Sequence, residues 1–320
     1  MNRPIKVLLL DDDLSDIKFD LEMSAKSNRV VIKEAFTNAE EGTEYIKSHH
    51  ADIDAIILDG FFMADPSSSR KKDITALKAT VDELNKLLYR ENIRIPFCVL
   101  TGYLEDISQD SILSDVKVFR KGQNPQDMFN YLKNEVGKNE EYQIKNEFDK
   151  VFELFDKKLL PKDKESDLVE ILKKLKNKAK YNDDDAFNPI RKMYEAIVDS
   201  LYDETFALNK QQDIVHIDLF NKNDELKISW SFHYLSGRDV KLNAGKVDEK
   251  TVIDHRGEAV WPAHVESAVD YILKVSNPNS HDYPEDVHHY TYKSVVYALL
   301  ELMLWYKEFI TNYKKEHTDA

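Results

Sequence analysis

Three carboxylates, a hydroxyl and an amine stand in the first 121 residues, each at or just past the end of a short apolar run. Lys6 to Leu10 runs into Asp11-Asp12-Asp13, and Ile53 to Leu58 ends at Asp59. Ile95 to Leu100 ends at Thr101-Gly102, and Val116 to Phe119 is followed by Arg120-Lys121. Carboxylates gathered in one place form a hard oxygen site suited to Mg²⁺, which takes a few carboxylates and keeps several waters. A carboxylate such as Asp59 can also attack a phosphoryl donor as a nucleophile. Lys121 suits the role of a point charge paired with phosphoryl oxygens. Thr101 can donate its hydroxyl to an acyl phosphate, a new bond able to rearrange the loop that follows it. One acidic residue at a strand end is more often a solvated turn residue than a ligand, so the chemistry rests on the whole set.

The elements that must position these groups follow from hydrophobic spacing. The apolar runs read as strands at Lys6 to Leu10, Val30 to Ala35, Ile53 to Leu58, Ile95 to Leu100 and Val116 to Phe119. Between and after them lie helical patterns: Ser15 to Ala25, Ala39 to Lys47, Asp73 to Leu88 (Leu77, Val81, Leu84 and Leu88 on one face) and Gln126 to Val136. Near-continuous apolar strands alternating with helices predict a parallel sheet covered on both faces. In such a sheet, functional groups gather in the crevice at the carboxyl ends of the strands, which is where the four segments place theirs. The expected class is therefore α/β, an N-terminal doubly wound five-stranded parallel sheet with a second, mostly α-helical domain.

This arrangement resembles the receiver domain of two-component response regulators, over roughly residues 5 to 137. The resemblance rests on the strand into Asp11-Asp12, on Ile56-Ile57-Leu58-Asp59, on Val99-Leu100-Thr101-Gly102, and on Val118-Phe119-Arg120-Lys121. It implies a flavodoxin-like fold with Asp59 as phosphoacceptor. It further implies Mg²⁺ held by Asp11, Asp12, Asp59 and the backbone carbonyl of Phe61, with Thr101, Gly102 and Lys121 binding the phosphoryl group and switching with it. The implied donor is a sensor histidine kinase or a phosphotransfer protein. The chain departs from the family in four places. Gly122 follows the strand-five Lys where Pro is usual, and Met63 stands where a Pro usually lies four residues past the phosphoacceptor. The usual aromatic switch position is Val118, with Phe119 beside it, and the loop Ala64 to Lys72 is longer than typical.

Beyond Gly137 the pattern changes. The expected division is a receiver over 1–137, a connecting helix over 138–160 and a mostly helical output domain over 161–320. Tyr142 to Leu160 has helical spacing with an apolar stripe (Ile144, Phe148, Val151, Phe155) that must be covered by the output domain or by a second subunit, so a homodimer is a possible state. Leu168 to Leu175 and Ile190 to Leu201 read as helices, the latter started by Asn188-Pro189. Ile214 to Phe220 and Leu226 to Tyr234 read as a hairpin, and Pro262 to Val275 and Tyr290 to Tyr313 as helices. The turn Ser276 to Asp282 ahead of the last helix vaguely resembles HEPN-like helical domains, which offers Asn277 and His281 as an output site. Arg256 and His264 do not match the spacing of the ribonucleases among those domains.

Composition limits the output. Of 320 residues, 45 are Lys or Arg and 59 are Asp or Glu, giving −14, and both halves are acidic. A protein that covers phosphate backbone needs the reverse, so DNA is not an expected partner. Eight glycines leave no glycine-rich ATP lid, and the single Cys98 allows neither an intrachain disulfide nor a Cys-based zinc site. No apolar run approaches the ~20 residues needed to span a bilayer. The expectation is a cytoplasmic response regulator in which Asp59 phosphorylation switches a helical, non-DNA-binding output that engages a protein partner. The alternatives are a receiver-gated HEPN-like ribonuclease and a non-phosphorylated pseudo-receiver scaffold. Catalysis beyond phosphorylation and dephosphorylation of the receiver itself is not expected.

Overall fold

The computed structural model describes residues 3–65, 74–103, 116–176, 186–205, 227–243, 245–253, 259–279 and 288–318. Its first half alternates strand and helix in chain order. These elements are β1 (Ile5–Leu10), α1 (Leu14–Ser27), β2 (Val30–Phe36), α2 (Ala39–His49), β3 (Ala55–Asp59), α3 (Thr75–Glu91), β4 (Phe97–Thr101), β5 (Val118–Arg120), α4 (Gln126–Val136) and α5 (Glu140–Glu147). All five strands are parallel, in the order β2-β1-β3-β4-β5, the flavodoxin-like doubly wound arrangement.

Strand periodicity explains why the sheet needs helices on both sides. Along β1, Leu8 and Leu10 face one layer with Ile56, Leu58 and Val99, covered by Ile46 of α2 and by Leu77, Val81 and Leu84 of α3. Val7 and Leu9 face the other with Ile57 and Cys98, covered by Leu21 and Ala25 of α1 and by Met128, Phe129 and Leu132 of α4. Successive side chains point to opposite faces, so an unbroken apolar run is what a doubly covered strand requires. Gly42 lets α2 lie close on β1, because a Cβ there would meet Leu10 Cδ2 at 2.5 Å. Overpacking of that kind costs about 1–3 kcal/mol, so Gly42→Val is expected to lower the thermal midpoint by several degrees in a melting experiment.

The chain divides into two units, Met1–Glu147 and Phe148–Ala320. One unbroken connecting helix over 138–160 does not form. α5 ends at Glu147 and α6 runs from Asp149 to Asp156, with Phe148 between them at φ −107°, ψ 31°. Of the apolar stripe that pointed to the output domain or a second subunit, Ile144, Val151 and Phe155 are buried within the chain and Phe148 is half-buried.

The second unit contains α6, α7 (Lys164–Lys176), α8 (Asn188–Thr205), α9 (Ile228–Leu235), β6 (Val240–Leu242), β7 (Lys250–Ile253), α10 (Ala263–Asn279) and α11 (His289–Thr318). α11 packs on α6, α7, α8 and α10 and buries Tyr292, Val295, Leu299, Leu302, Tyr306 and Ile310. The buried hydroxyls of Tyr292 and Tyr306 donate to the carbonyls of Ile171 (3.1 Å) and Leu159 (3.0 Å). The described part of the strand expected over Leu226 to Tyr234 is helical instead: α9 occupies Ile228–Leu235 and buries Ser231, Phe232, Tyr234 and Leu235 at helical spacing. The other half of that expected hairpin, Ile214 to Phe220, lies outside the described residues. A small antiparallel pair, β6 with β7, forms where no strands were expected. Among the described residues no helix is long and apolar enough to cross a membrane.

Candidate functional site

β1 and β3 are neighbours; Asp11 follows β1 directly and Asp59 is the last residue of β3. Asp11 is 1% exposed and Asp59 6%, with Asp12 half-buried beside them. One carboxylate oxygen from each of Asp11, Asp12 and Asp59 lies within 4.8 Å of the others. The connection after β5 reaches into the same crevice, where Lys121 Nζ sits 2.7 Å from Asp11 Oδ2 and 2.9 Å from Asp59 Oδ2. Asp11 is held further by the Asp13 amide, which donates to its Oδ1 at 2.9 Å.

Thr101, fully buried at the end of β4, accepts at its carbonyl from the Lys121 amide at 2.8 Å, which ties the two strand ends together. Its Oγ1 accepts from the Tyr103 amide at 3.1 Å. Gly102 has open space where a Cβ would stand. Gly122, at φ +83°, holds a conformation closed to proline, whose ring fixes φ near −65°. The chain thus leaves Lys121 along a path that a Pro at position 122 cannot follow. Phe61 and Tyr103 meet edge to face with centroids 5.3 Å apart, an aromatic pair contributed by the loops after β3 and β4. Val118 packs against the α2/α3 side of the core.

The electrostatics are those of a crowded acid site. Burial pushes the Asp59 carboxyl up from its ordinary 3.8 to about 6, the charge of Asp11 adds to the rise, and Lys121 and the Phe61 amide oppose it. Burial works against the charge of Lys121, but the two carboxylates outweigh it and hold the ammonium proton above the ordinary lysine value. A hard divalent cation fits the donor chemistry of Asp11, Asp12 and Asp59.

In the second unit, Asn277 lies in the last turn of α10, while His281 and Arg256 lie outside the described residues. His264 is exposed, with Nε2 3.6 Å from Glu301 Oε1. Among the described residues, the carboxylates of Asp11, Asp12 and Asp59 are the grouping able to hold a metal ion.

No protein-family model matches the chain, and no curated protein matches it. Among solved structures, it is similar to RcsB from Salmonella enterica serovar Typhimurium bound to promoter P1flhDC in the presence of phosphomimetic BeF3-. That similarity covers 66% of this chain and 82% of that chain at 17% identity, with a TM-score of 0.31. A likeness that distant carries no inference about what this chain does.

Proposed function

We propose that the chain is a two-component response regulator whose Asp59 accepts a phosphoryl group and whose helical second unit engages a protein partner. The observation that carries this reading is the meeting of Asp11, Asp12, Asp59 and Lys121 in one crevice at the carboxyl ends of parallel strands. In this reading an oxygen of the Asp59 carboxylate forms the new bond to phosphorus. The bond from phosphorus to the donor's leaving group breaks, and its electron pair departs with that group. Lys121 binds an equatorial phosphoryl oxygen through its ammonium, and Thr101 donates its hydroxyl to another. Asp11 and Asp12, with Asp59 and the Phe61 carbonyl, would hold Mg²⁺, which when bound supplies the positive charge that phosphoryl transfer requires. The donor is a histidine kinase or a phosphotransfer protein.

An acidic second unit supports a protein target over DNA, since each phosphate contact on a duplex calls for a Lys or Arg. The test is to incubate the full chain with Mg²⁺ and acetyl phosphate and to map the adduct by mass spectrometry. A phosphoryl group on the peptide carrying Asp59, absent with a chelator, is the expected result. An adduct that forms on another residue, or none at any Mg²⁺ concentration, overturns the reading.

A further inference from the structure

We infer that Asn38 is a positioning residue for this acid site, acting through a strap that joins the start of α2 to the loop after Asp59. The inference rests on the reading of Asp11, Asp12 and Asp59 as a Mg²⁺ site. The first amides of a helix have no partner within the helix and must find one elsewhere. In α2 they are all accounted for. The Ala39 amide donates to the Met63 carbonyl at 2.8 Å and the Glu40 amide to the Ala64 carbonyl at 2.9 Å. The Glu41 amide donates to Asn38 Oδ1 at 2.9 Å, and Asn38 Nδ2 donates back to Glu41 Oε2 at 2.9 Å. Asn38 is 3% exposed, and its backbone forms a parallel bridge with Met63.

This strap fixes the loop at both ends of the one residue that matters. On one side of Phe61 the Asp59 carboxylate accepts from the Phe61 amide. On the other, Phe62 is buried at 1% exposure among Leu8, Leu10 and Leu58, and Met63 and Ala64 are bonded to α2. The Phe61 carbonyl therefore has its place set from both directions. The same stretch also holds the other half of the site, since the Asp11 amide donates to the Phe36 carbonyl at 3.0 Å. Without the Asn38 side chain, the Glu41 amide loses its acceptor at a partly buried site. The first turn of α2 then frays, and the amides of Ala39 and Glu40 release the loop.

The experiment measures Mg²⁺ binding to the full chain by calorimetry, together with hydrogen exchange at the Ala39 and Glu40 amides. Asn38→Ala is expected to bind Mg²⁺ about fivefold more weakly, the size of one lost cap, with faster exchange at both amides. Asn38→Ser keeps an acceptor for the Glu41 amide and is expected to bind within twofold of the wild type. Leu84→Ala, a core truncation in α3, controls for lost stability and should leave Mg²⁺ binding unchanged. Wild-type affinity in Asn38→Ala, or equal weakening in Leu84→Ala, overturns the positioning role while the metal reading stands. A wild-type chain that binds no Mg²⁺, or binds it as well after Asp12→Asn, overturns the metal reading and this inference with it.

Discussion

Asp59→Asn is expected to make the protein more stable at neutral pH while removing its ability to accept a phosphoryl group. The folded state holds the Asp59 proton up to about pH 6, against 3.8 ordinarily, so between those values the folded chain binds more protons than the unfolded one. Stability then falls as pH rises through that window, the reverse of a salt-bridged carboxylate, and above pH 6 the full cost of the buried charge is present. The separation corresponds to roughly 2–3 kcal/mol. Asparagine carries no charge to bury, so the variant's thermal midpoint should exceed the wild type's at pH 7.5 in chelator, and the gap should close toward pH 4. Mg²⁺ should raise the wild-type midpoint and leave Asp59→Asn nearly unmoved. A variant that melts lower than the wild type at pH 7.5 would show that Asp59 stabilises the fold through its pairing with Lys121, and the picture of a strained acid site would fail.

Much of the first unit could be read from the chain because its signals are local. Leu8 and Leu10 cannot share a face with Val7 and Leu9, so the run from Ile5 to Leu10 needed cover on two sides. The acids at the ends of β1 and β3 then had to share one crevice. Asn38 could not be read that way. Its role depends on β2 and β3 ending side by side across β1, a relation between residues 25 apart in sequence that leaves no periodic mark. A partly buried group at the opposite end of the sheet was missed for the same reason. Asp54 accepts from the Lys6 amide at 2.7 Å, Tyr142 Oη donates to the Arg3 carbonyl at 3.0 Å, and the Arg3 amide donates to Asn146 Oδ1 at 3.1 Å. Those contacts keep α5 with the first unit, which is why the boundary falls at Glu147 rather than at Gly137. In the second unit, the strand expected over Leu226 to Tyr234 rested on an imperfect alternation, whereas burial of Ser231, Phe232 and Leu235 together suits a helix. The long α11 was easier, since apolar residues on more than one narrow stripe demand burial whatever the neighbours are.

Lys121→Ala separates binding of the cation from transfer of the phosphoryl group. The ammonium lies between Asp11 and Asp59, within 3 Å of both, and so occupies the negative charge that a divalent cation would use. Its removal leaves two buried carboxylates facing each other, and Mg²⁺ should bind more tightly because a competing positive charge is gone. The Asp59 proton should be held to a higher pH still, since Lys121 is a group that opposes the rise. Transfer should move the other way. A fixed donor aimed at developing charge is worth roughly 10²–10³ in rate where comparable donors have been removed, so the adduct from acetyl phosphate should form at least a hundredfold more slowly at saturating Mg²⁺. Its pH profile should also climb at higher pH than the wild type's. The measurements are a Mg²⁺ titration and a single-turnover time course on the same preparation. Tighter Mg²⁺ binding with slower transfer assigns Lys121 to the phosphoryl group, whereas a loss of both together would mean that Lys121 serves only to hold the two aspartates in the fold.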